Sequence, residues 1–307
     1  MNVIETTHLT KRYGKARGIV DVNLSVAKGA FFGFIGPNGA GKSTTIRTLL
    51  GLIAPSDGHA KIFGMDSAKD RQAILSRVGY LPSEAIFYPG MKVKEVLKLS
   101  ADLRKMDCRE ESKRLCEHLQ LDMKRKVEDL SFGNRKKVGI VCALQHRPEL
   151  IVLDEPTGGL DPLMQKAFFD ILEARNKEGA TVFLSSHILS EIQAHCTHAA
   201  IIRDGRIIAS DTVDALAQTN AKRVTVHGQV ALNALGDIRD LSSEGEVVRF
   251  LYSGDMNRLA QTLASGEIHD FTVTEPSTNS SRGEKRCVCG HLVLVRYWSF
   301  VSFSFRK

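Results

Sequence analysis

The chain has 307 residues, of which 43% are hydrophobic and 25% are charged, a composition typical of globular proteins. This composition excludes a collagenous or wholly disordered chain, and no stretch reaches the roughly 18–20 apolar residues that a membrane-spanning helix needs. The formal net charge is +7, but six basic residues and one acidic residue follow Ser277, so the preceding chain is nearly neutral and no nucleic-acid partner is expected.

Short apolar strands alternate with helical stretches along most of the chain, which predicts an α/β fold. Residues 20–26 alternate between apolar and polar, and residues 30–35 form a continuous apolar run, so both are predicted strands. A helix is predicted over residues 42–52 and a further strand over residues 59–63, after a Pro-Ser-Asp-Gly turn.

The following region has little strand character and contains two predicted helices, at residues 92–103 and 109–119, so we interpret it as a helical insert. Beyond it, two buried strands flank a helix and predict a βαβ unit, with its elements at residues 150–153, 163–177 and 181–184. The segment after residue 220 favours a small α+β appendage, with strands at residues 223–227, 247–252 and 271–273 around a helix at residues 257–263.

A glycine-rich loop follows the apolar run that ends at residue 35. Its sequence, GPNGAGKS, fits the phosphate-binding P-loop pattern G-x-x-x-x-G-K-[ST]. Glycines let the backbone approach phosphate groups, Lys42 can reach the β- and γ-phosphates, and the Ser43 hydroxyl can ligate Mg²⁺. The loop and the start of the following helix predict a nucleotide-binding site made of Gly36, Pro37, Asn38, Gly39, Ala40, Gly41, Lys42, Ser43 and Thr44.

Two acidic residues, Asp154 and Glu155, end the apolar strand predicted at residues 150–153. Adjacent carboxylates at the end of a buried strand are costly unless a cation pairs with them. Beside a P-loop, the pair therefore predicts that Asp154 binds Mg²⁺ through water and that Glu155 polarises the attacking water as general base. The alternative is that the two acids are exposed to solvent at the end of the strand and have no role in catalysis or metal binding.

With these two elements in place, the chain resembles the nucleotide-binding subunit of an ABC transporter. The resemblance covers roughly residues 1–217 and includes further motifs in the family's order. These motifs are Tyr13 as the aromatic residue that stacks on adenine, residues 79–84 as the Q-loop, residues 130–134 as the signature motif, residues 159–162 as the D-loop and His187 as the switch histidine. The resemblance implies a P-loop NTPase core with an antiparallel β subdomain and a helical subdomain at about residues 84–145.

In this family, two such domains pair head to tail, so that the P-loop of one chain faces the signature motif of the other. The resemblance implies that Ser131 and Gly133 bind the γ-phosphate from across the dimer and that Asp161 couples the two sites. It also implies that His187 bonds to the γ-phosphate and holds the general base in place. The implied cofactors are ATP and Mg²⁺, and the implied catalytic residues are Lys42, Glu155 and His187.

The sequence departs from the family's pattern at the Q-loop and in the signature motif. Ser83 stands where the family has a glutamine that can meet both metal and water, and it is a candidate metal contact. Phe132 is bulkier than the usual glycine, and Asn134 replaces a glutamine. Since Ser131 and Gly133 are kept, we expect the chain to be active.

The function implied is that of an ATP-binding and hydrolysing subunit, which dimerises on ATP to power a separately encoded membrane permease, with export as the implied direction. The expected partners are this permease and a second copy of the chain or a similar ATPase subunit, at the cytoplasmic face of the cell membrane. Two alternatives remain open: a soluble ABC ATPase that acts on ribosomes or DNA, and a regulatory protein that binds ATP but hydrolyses it poorly.

The predicted domains are an ABC-type ATPase core at residues 1–217, a small α+β appendage at residues 222–277 and a tail at residues 278–307. In the family, the Glu-Pro-Ser turn found here at residues 275–277 is usually followed by an acidic, apolar helix, which this chain lacks. We therefore expect the tail to be atypical and poorly packed. Its Cys287, Cys289 and His291 do not close a tetrahedral zinc site at their spacing, so no metal is predicted there.

Overall fold

The computed structural model describes residues 1–274, apart from residues 15, 219–221, 231, 233 and 234. The chain divides into two compact units, Met1–Ser210 and Asp211–Lys307. This division falls before residue 217, where the sequence predicts the end of the ATPase core. The predicted tail and its cysteines lie outside the described residues. None of the described helices is long and apolar enough to cross a membrane.

The first unit contains most of the secondary structure. Its strands, in chain order, are β1 (Asn2–Tyr13), β2 (Ala16–Ala27), β3 (Phe31–Ile35), β4 (Asp57–Ile62), β5 (Met65–Asp66), β6 (Val78–Leu81), β7 (Leu150–Asp154), β8 (Thr181–Ser186), β9 (His198–Arg203) and β10 (Arg206–Thr212). Its α-helices are α1 (Lys42–Leu49), α2 (Arg71–Ser76), α3 (Val93–Leu103), α4 (Arg109–His118), α5 (Phe132–Leu144), α6 (Pro162–Lys177) and α7 (Leu189–His195). The predicted βαβ unit is present as β7, α6 and β8.

A six-stranded sheet has the order β10-β9-β3-β8-β7-β6, in which β9, β3, β8, β7 and β6 are parallel. β3, β7 and β8 are buried throughout, as expected for strands that are covered on both faces. Because the carboxyl ends of parallel strands meet at one edge, the segments that follow β3, β6, β7 and β8 come together there. This edge carries the candidate site.

A second, antiparallel sheet has the order β2-β1-β4-β5 and shares a core with the parallel sheet through α1. Ile46 and Leu49 of α1 lie in one buried cluster with Val22 of β2 and Val152 of β7. The prediction that this helix extends to residue 52 is wrong. The helix ends at Leu49 because Gly51 adopts a left-handed φ of +65°, which stops the helical path.

Helices α3, α4 and α5 occupy the region between β6 and β7, where the sequence predicts a helical insert. Gln145, just after α5, joins the three helices. Its Nε2 donates to the Leu97 carbonyl of α3 at 3.1 Å, and its Oε1 accepts from Ser112 Oγ of α4 at 2.6 Å. α5 also packs against β6, so the helix that carries the signature motif is held against the parallel sheet.

The second unit contains α8 (Val213–Gln218), β11 (Lys222–Gln229), β12 (Ile238–Glu244), β13 (Val247–Tyr252), α9 (Met256–Ala264) and β14 (Glu267–Thr274). The strands form one antiparallel sheet of order β12-β13-β11-β14, and its core includes Val224, Phe250 and Leu259. Sequence analysis missed β12. This edge strand is exposed from Arg239 onward and lacks the alternation that marks a half-buried strand.

Candidate functional site

The P-loop connects β3 to α1 at the carboxyl edge of the parallel sheet. Gly39 and Gly41 have left-handed φ values of +78° and +107°, which residues with side chains rarely adopt. A Cβ on Gly36 would lie 2.6 Å from the carbonyl oxygen of Ile202, so close packing requires glycine there as well. The Gly36 N–H donates to the Ser186 carbonyl at 3.3 Å, which fixes the start of the loop against β8.

The first turn of α1 supplies hydrogen-bond donors to the loop. Lys42, Ser43 and Thr44 occupy this turn, where helix geometry leaves the backbone N–H groups without intrahelical partners. Asn38 and Gly39 are exposed, whereas the loop's Ala40 is buried. The positive end of the helix macrodipole also attracts negative charge, as these donors do, so the loop can bind an anionic phosphate chain.

Lys42 reaches back across the loop. Its side chain is buried, and its Nζ donates to the carbonyls of Gly36 at 2.5 Å and Pro37 at 3.2 Å. The same Nζ lies 2.9 Å from Oε1 of Glu155. The structure therefore brings the P-loop lysine into contact with the residue predicted to be the general base.

Asp154, the last residue of β7, is fully buried. Its Oδ1 accepts a hydrogen bond from Ser185 Oγ at 3.0 Å, whereas its Oδ2 is buried without a hydrogen-bond partner among the described residues. An unpartnered carboxylate oxygen in the interior is costly, and a divalent cation fits as the missing partner. Asp154 and the hydroxyl of Ser43 offer oxygen ligands, which suit Mg²⁺.

Within the part of the chain that the structure describes, no three His, Cys, Asp or Glu side chains are grouped as metal ligands. Mg²⁺ at nucleotide sites is usually bound by one or two carboxylates together with substrate phosphates and water. Ser43 and Asp154 therefore fit a metal that is bound together with a nucleotide. Ser83, the third candidate, follows β6, the strand next to β7, and lies at the same edge of the sheet.

Glu155 follows β7 with a left-handed φ of +50°, an uncommon conformation for a residue with a side chain. Its backbone N–H donates to the Ser185 carbonyl at 3.1 Å. Its carboxylate is held from two sides, because Oε1 faces Lys42 and Oε2 lies 2.6 Å from Nδ1 of His187, directly after β8. The structure thus brings together the three predicted catalytic residues.

Tyr13, the residue predicted to stack on adenine, ends β1 and is 41% exposed. The ammonium group of Lys11 lies 5.4 Å from the centre of its ring. β1 pairs with β2, where Lys11 lies opposite Ile19, and a Cβ on Gly41 would lie 2.8 Å from Cγ2 of Ile19. The strand that carries Tyr13 is therefore one strand away from the end of the P-loop.

Ser131, Gly133 and Asp161 lie at the N-termini of two helices. Ser131 is the exposed N-cap of α5, and its Oγ accepts from the Asn134 N–H at 3.3 Å, with Gly133 in the same first turn. Asp161 is the N-cap of α6, and its Oδ1 accepts from the Met164 N–H at 3.0 Å, a capping role that sequence analysis missed. Among the described contacts, these two side chains bond within their own helices and not to the predicted catalytic residues.

Three polar residues at this edge of the sheet were given no individual role from the sequence: Tyr80, Lys136 and Ser185. The Ser185 hydroxyl donates to the Asp154 carboxylate, and the Ser185 carbonyl accepts from the Glu155 N–H. The pKa of Tyr80 is raised, mainly by burial and to a smaller extent by the negative charge of Asp154. Lys136 of α5 is buried and donates to the Glu155 carbonyl at 2.9 Å. Its position, four and eight residues before buried apolar residues of the same helix, is the signal that could have indicated an inward-facing lysine.

The order of the strands, together with the loop and the two acids, defines the class of protein. β8 separates β3, which leads into the phosphate-binding loop, from β7, which ends in the two acids. A loop of this sequence between a buried strand and a helix, with a carboxylate for a metal on the same sheet edge, makes this protein a P-loop NTPase.

Comparison with known proteins identifies the family. Residues 19–158 match the family described as ABC transporter. The bacitracin transport ATP-binding protein BcrA of Bacillus licheniformis is 40% identical over 223 residues, which cover 72% of this chain and 73% of the relative. The uncharacterized ABC transporter ATP-binding protein YhaQ of Bacillus subtilis is 30% identical over 296 residues, which cover 91% of this chain and 96% of that protein.

A solved structure of an ATP-binding subunit of an ABC transporter is 31% identical to this chain, with a TM-score of 0.66, and the match covers 70% of this chain and 92% of that one. The chain belongs to the ABC transporter ATP-binding proteins, and it is an ATP-binding and ATP-hydrolysing subunit of such a transporter. The family, the fold class and the ATPase activity predicted from the sequence are confirmed.

Proposed function

We propose that two copies of this chain bind MgATP between them and use its hydrolysis to drive export by a separate membrane permease. The observation that carries the proposal is the carboxylate of Glu155, which is held between Lys42 and His187. It lies directly after Asp154, whose buried Oδ2 lacks a partner. Phosphoryl transfer depends on such positioned charges and on a group that orients the attacking water.

Each residue of this cluster has a distinct proposed role. Lys42 and the N-terminus of α1 bind the phosphates, while Ser43 and Asp154 hold Mg²⁺, with Ser83 as a further candidate contact. When bound by these residues, Mg²⁺ would supply positive charge that offsets the negative charge of the nucleotide's phosphates. In this structure Lys42 forms an ion pair with Glu155. A phosphate that binds this lysine would replace the carboxylate as its partner, so the carboxylate would be free to accept the proton of water.

In the proposed dimer, each site combines the P-loop of one copy with the signature motif of the other. Ser131 is exposed, and Gly133 lies in the first turn of the same helix, so both can meet a phosphate presented from outside the chain. Tyr13 is exposed enough to stack on adenine. Asp161, at the N-terminus of α6, couples the two sites.

The proposed partners are a permease and a second copy of this chain or a similar ATPase subunit. The proposed location is the cytoplasmic face of the cell membrane, where the permease would hold the chain. The name of the relative BcrA, a bacitracin transport ATP-binding protein, supports a role in moving a compound across a membrane. Export as the direction rests on the resemblance to subunits that work with a separately encoded permease.

The Glu155→Gln substitution tests the proposed base. We expect it to lower steady-state phosphate release by about 100-fold or more, since general acid–base catalysis contributes roughly 10²–10⁴-fold. The affinity for ATP should stay within about threefold of the wild type, because the P-loop and Lys42 are unchanged. Phosphate release and the binding of a fluorescent ATP analogue measure the two quantities.

Glu149→Gln is the matched control. Glu149 lies just before β7, at the opposite end of the same strand, and its carboxylate pairs with Arg77 near the surface. We expect this variant to keep its turnover. Phosphate release at the wild-type rate by Glu155→Gln would refute the assignment of the base.

A further inference from the structure

Lys136 connects three segments of the first unit that are distant in sequence. It lies in the second turn of α5, and its side chain is 3% exposed. Its Nζ donates to the carbonyl of Ser83 at 2.7 Å, the carbonyl of Glu155 at 2.9 Å and the carbonyl of Pro82 at 3.4 Å. One buried ammonium group thereby joins α5, the loop after β6 and the segment after β7.

The burial of this ammonium group is costly, and the structure offsets the cost with backbone carbonyls. Burial lowers the pKa of Lys136 to about 8, while the charges of Asp154 and Glu155 act in the opposite direction. A buried amine usually loses its proton or finds hydrogen-bond acceptors, and here three carbonyl oxygens serve as acceptors. An apolar side chain of the same length would leave these carbonyl oxygens without this donor.

The backbone of Glu155 is one of the segments that this contact holds. Its left-handed φ is unfavourable for a residue with a side chain, so other contacts must hold it. The N–H is held by the Ser185 carbonyl, and the carbonyl is held by Lys136. Together these two bonds fix the backbone on both sides of the residue whose side chain meets Lys42 and His187.

We propose that Lys136 is a positioning residue for Glu155. It ties the carbonyl of the glutamate to α5 and to the Ser83 loop, so the direction of the carboxylate follows the position of the signature helix. A displacement of α5 is thereby passed to the base without any contact between Lys136 and the nucleotide. This inference rests on the proposed role of Glu155 as general base.

The test compares Lys136→Met in two backgrounds. We expect Lys136→Met to lower kcat roughly tenfold or more, because small misplacements of a catalytic group cost up to about 100-fold. The affinity for ATP should change by less than about threefold, since the P-loop is untouched. In single-turnover measurements in a Glu155→Gln background, Lys136→Met should cause almost no further loss, because residues that act through one group are not additive.

Two further variants separate positioning from simple stability. Lys136→Gln keeps a hydrogen-bond donor and should recover part of the lost kcat. Lys137→Met removes the next lysine of α5, which is also buried but has no hydrogen bond to Ser83 or Glu155 among the described contacts. This control should keep kcat within about threefold of the wild type.

Several outcomes would overturn the inference. These are an unchanged kcat in Lys136→Met, a loss of ATP affinity in proportion to kcat, or an equal loss of rate in both backgrounds. An unchanged turnover in Glu155→Gln alone would instead refute the proposed base, and the inference with it. A normal loss in Glu155→Gln together with an unaffected Lys136→Met would refute the inference and leave the proposed base in place.

Discussion

Phe132, a departure from the family's signature motif, lies beside Gly159 of the D-loop, which is distant in the sequence. Phe132 is 50% exposed, and a Cβ on Gly159 would lie only 2.3 Å from its Cδ1 atom. Gly159 has a left-handed φ of +81°, and a Cβ on Gly133 would lie 2.4 Å from the Gly159 carbonyl oxygen. The first turn of α5 and the D-loop therefore pack so closely that both residues 133 and 159 need to be glycine.

A double-mutant cycle measures this contact. We expect Gly159→Ala to lower the free energy of unfolding by roughly 2 kcal/mol, of which about 1 kcal/mol is the cost of the left-handed backbone and the rest is the clash with Phe132. In a Phe132→Ala background the clash is relieved, so the same substitution should cost only the backbone part. Urea unfolding of the four proteins gives both values.

Gly158→Ala is the control for this cycle. Its added Cβ would meet no atom closer than the Glu155 carbonyl oxygen at 3.8 Å, and its φ is not left-handed. We expect a change of less than about 0.5 kcal/mol. Equal costs of Gly159→Ala with and without the Phe132 ring would contradict the proposed packing.

At the scale of elements, α5 joins the parallel sheet through a buried histidine just beyond its end. His146 has its Nε2 3.2 Å from the Val78 carbonyl oxygen of β6, and its buried Nδ1 has no hydrogen-bond partner in the described part of the chain. Burial, with a smaller effect of the positive charge of Arg104, lowers the pKa of His146 to about 4. The neutral imidazole is therefore the form that fits between α5 and β6.

This arrangement predicts a loss of stability in acid. Since the folded-state pKa lies below the ordinary value of 6.5, the contribution of His146 is complete above pH 6.5 and is lost as the pH falls towards 4. Between pH 7.5 and pH 4.5 we expect His146 to account for about 2 kcal/mol of the decrease in the free energy of unfolding. Urea unfolding at both pH values measures it.

The His146→Gln variant should lack this part of the pH dependence. The exposed His118 at the end of α4 provides the control, because His118→Gln should keep the decrease seen in the wild type. The interpretation of His146 would be wrong if His146→Gln lost as much stability on acidification as the wild type.

At the scale of the whole molecule, the two halves of the proposed nucleotide site lie at separate places on one chain. Lys42 is buried in the P-loop beside Glu155, whereas Ser131 is exposed and bonds within α5. In the proposed head-to-tail dimer, the P-loop of one copy would meet the signature motif of the other. Inactive variants of the two halves should therefore complement each other.

We expect Lys42→Ala and Ser131→Arg each to abolish turnover when tested alone. A mixed dimer contains one site with an intact P-loop and an intact signature motif, so an equal mixture should recover roughly a quarter of wild-type phosphate release. The control is a mixture of Lys42→Ala with Lys42→Ala,Ser131→Arg, which leaves no intact site. Absence of activity in the first mixture would contradict a site shared between two copies.

The sequence by itself determined the phosphate-binding half of this protein. The pattern at residues 36–44 is local, and the strand before it and the helix after it follow from short-range patterns of apolar residues. The two acids at the end of β7 could likewise be placed, because a continuous apolar run ends at them. Family membership followed from the order of these motifs along the chain.

Tertiary structure alone decided the contacts that hold the proposed catalytic residues in place. Lys136 and Glu155 meet because α5 packs against β6, and Phe132 covers Gly159 because the signature helix begins beside the D-loop. The left-handed backbone of Glu155 and the exposed edge strand β12 also lack a periodic signal in the sequence. Such features depend on which distant segments pack together, and a pattern of neighbouring residues does not specify that.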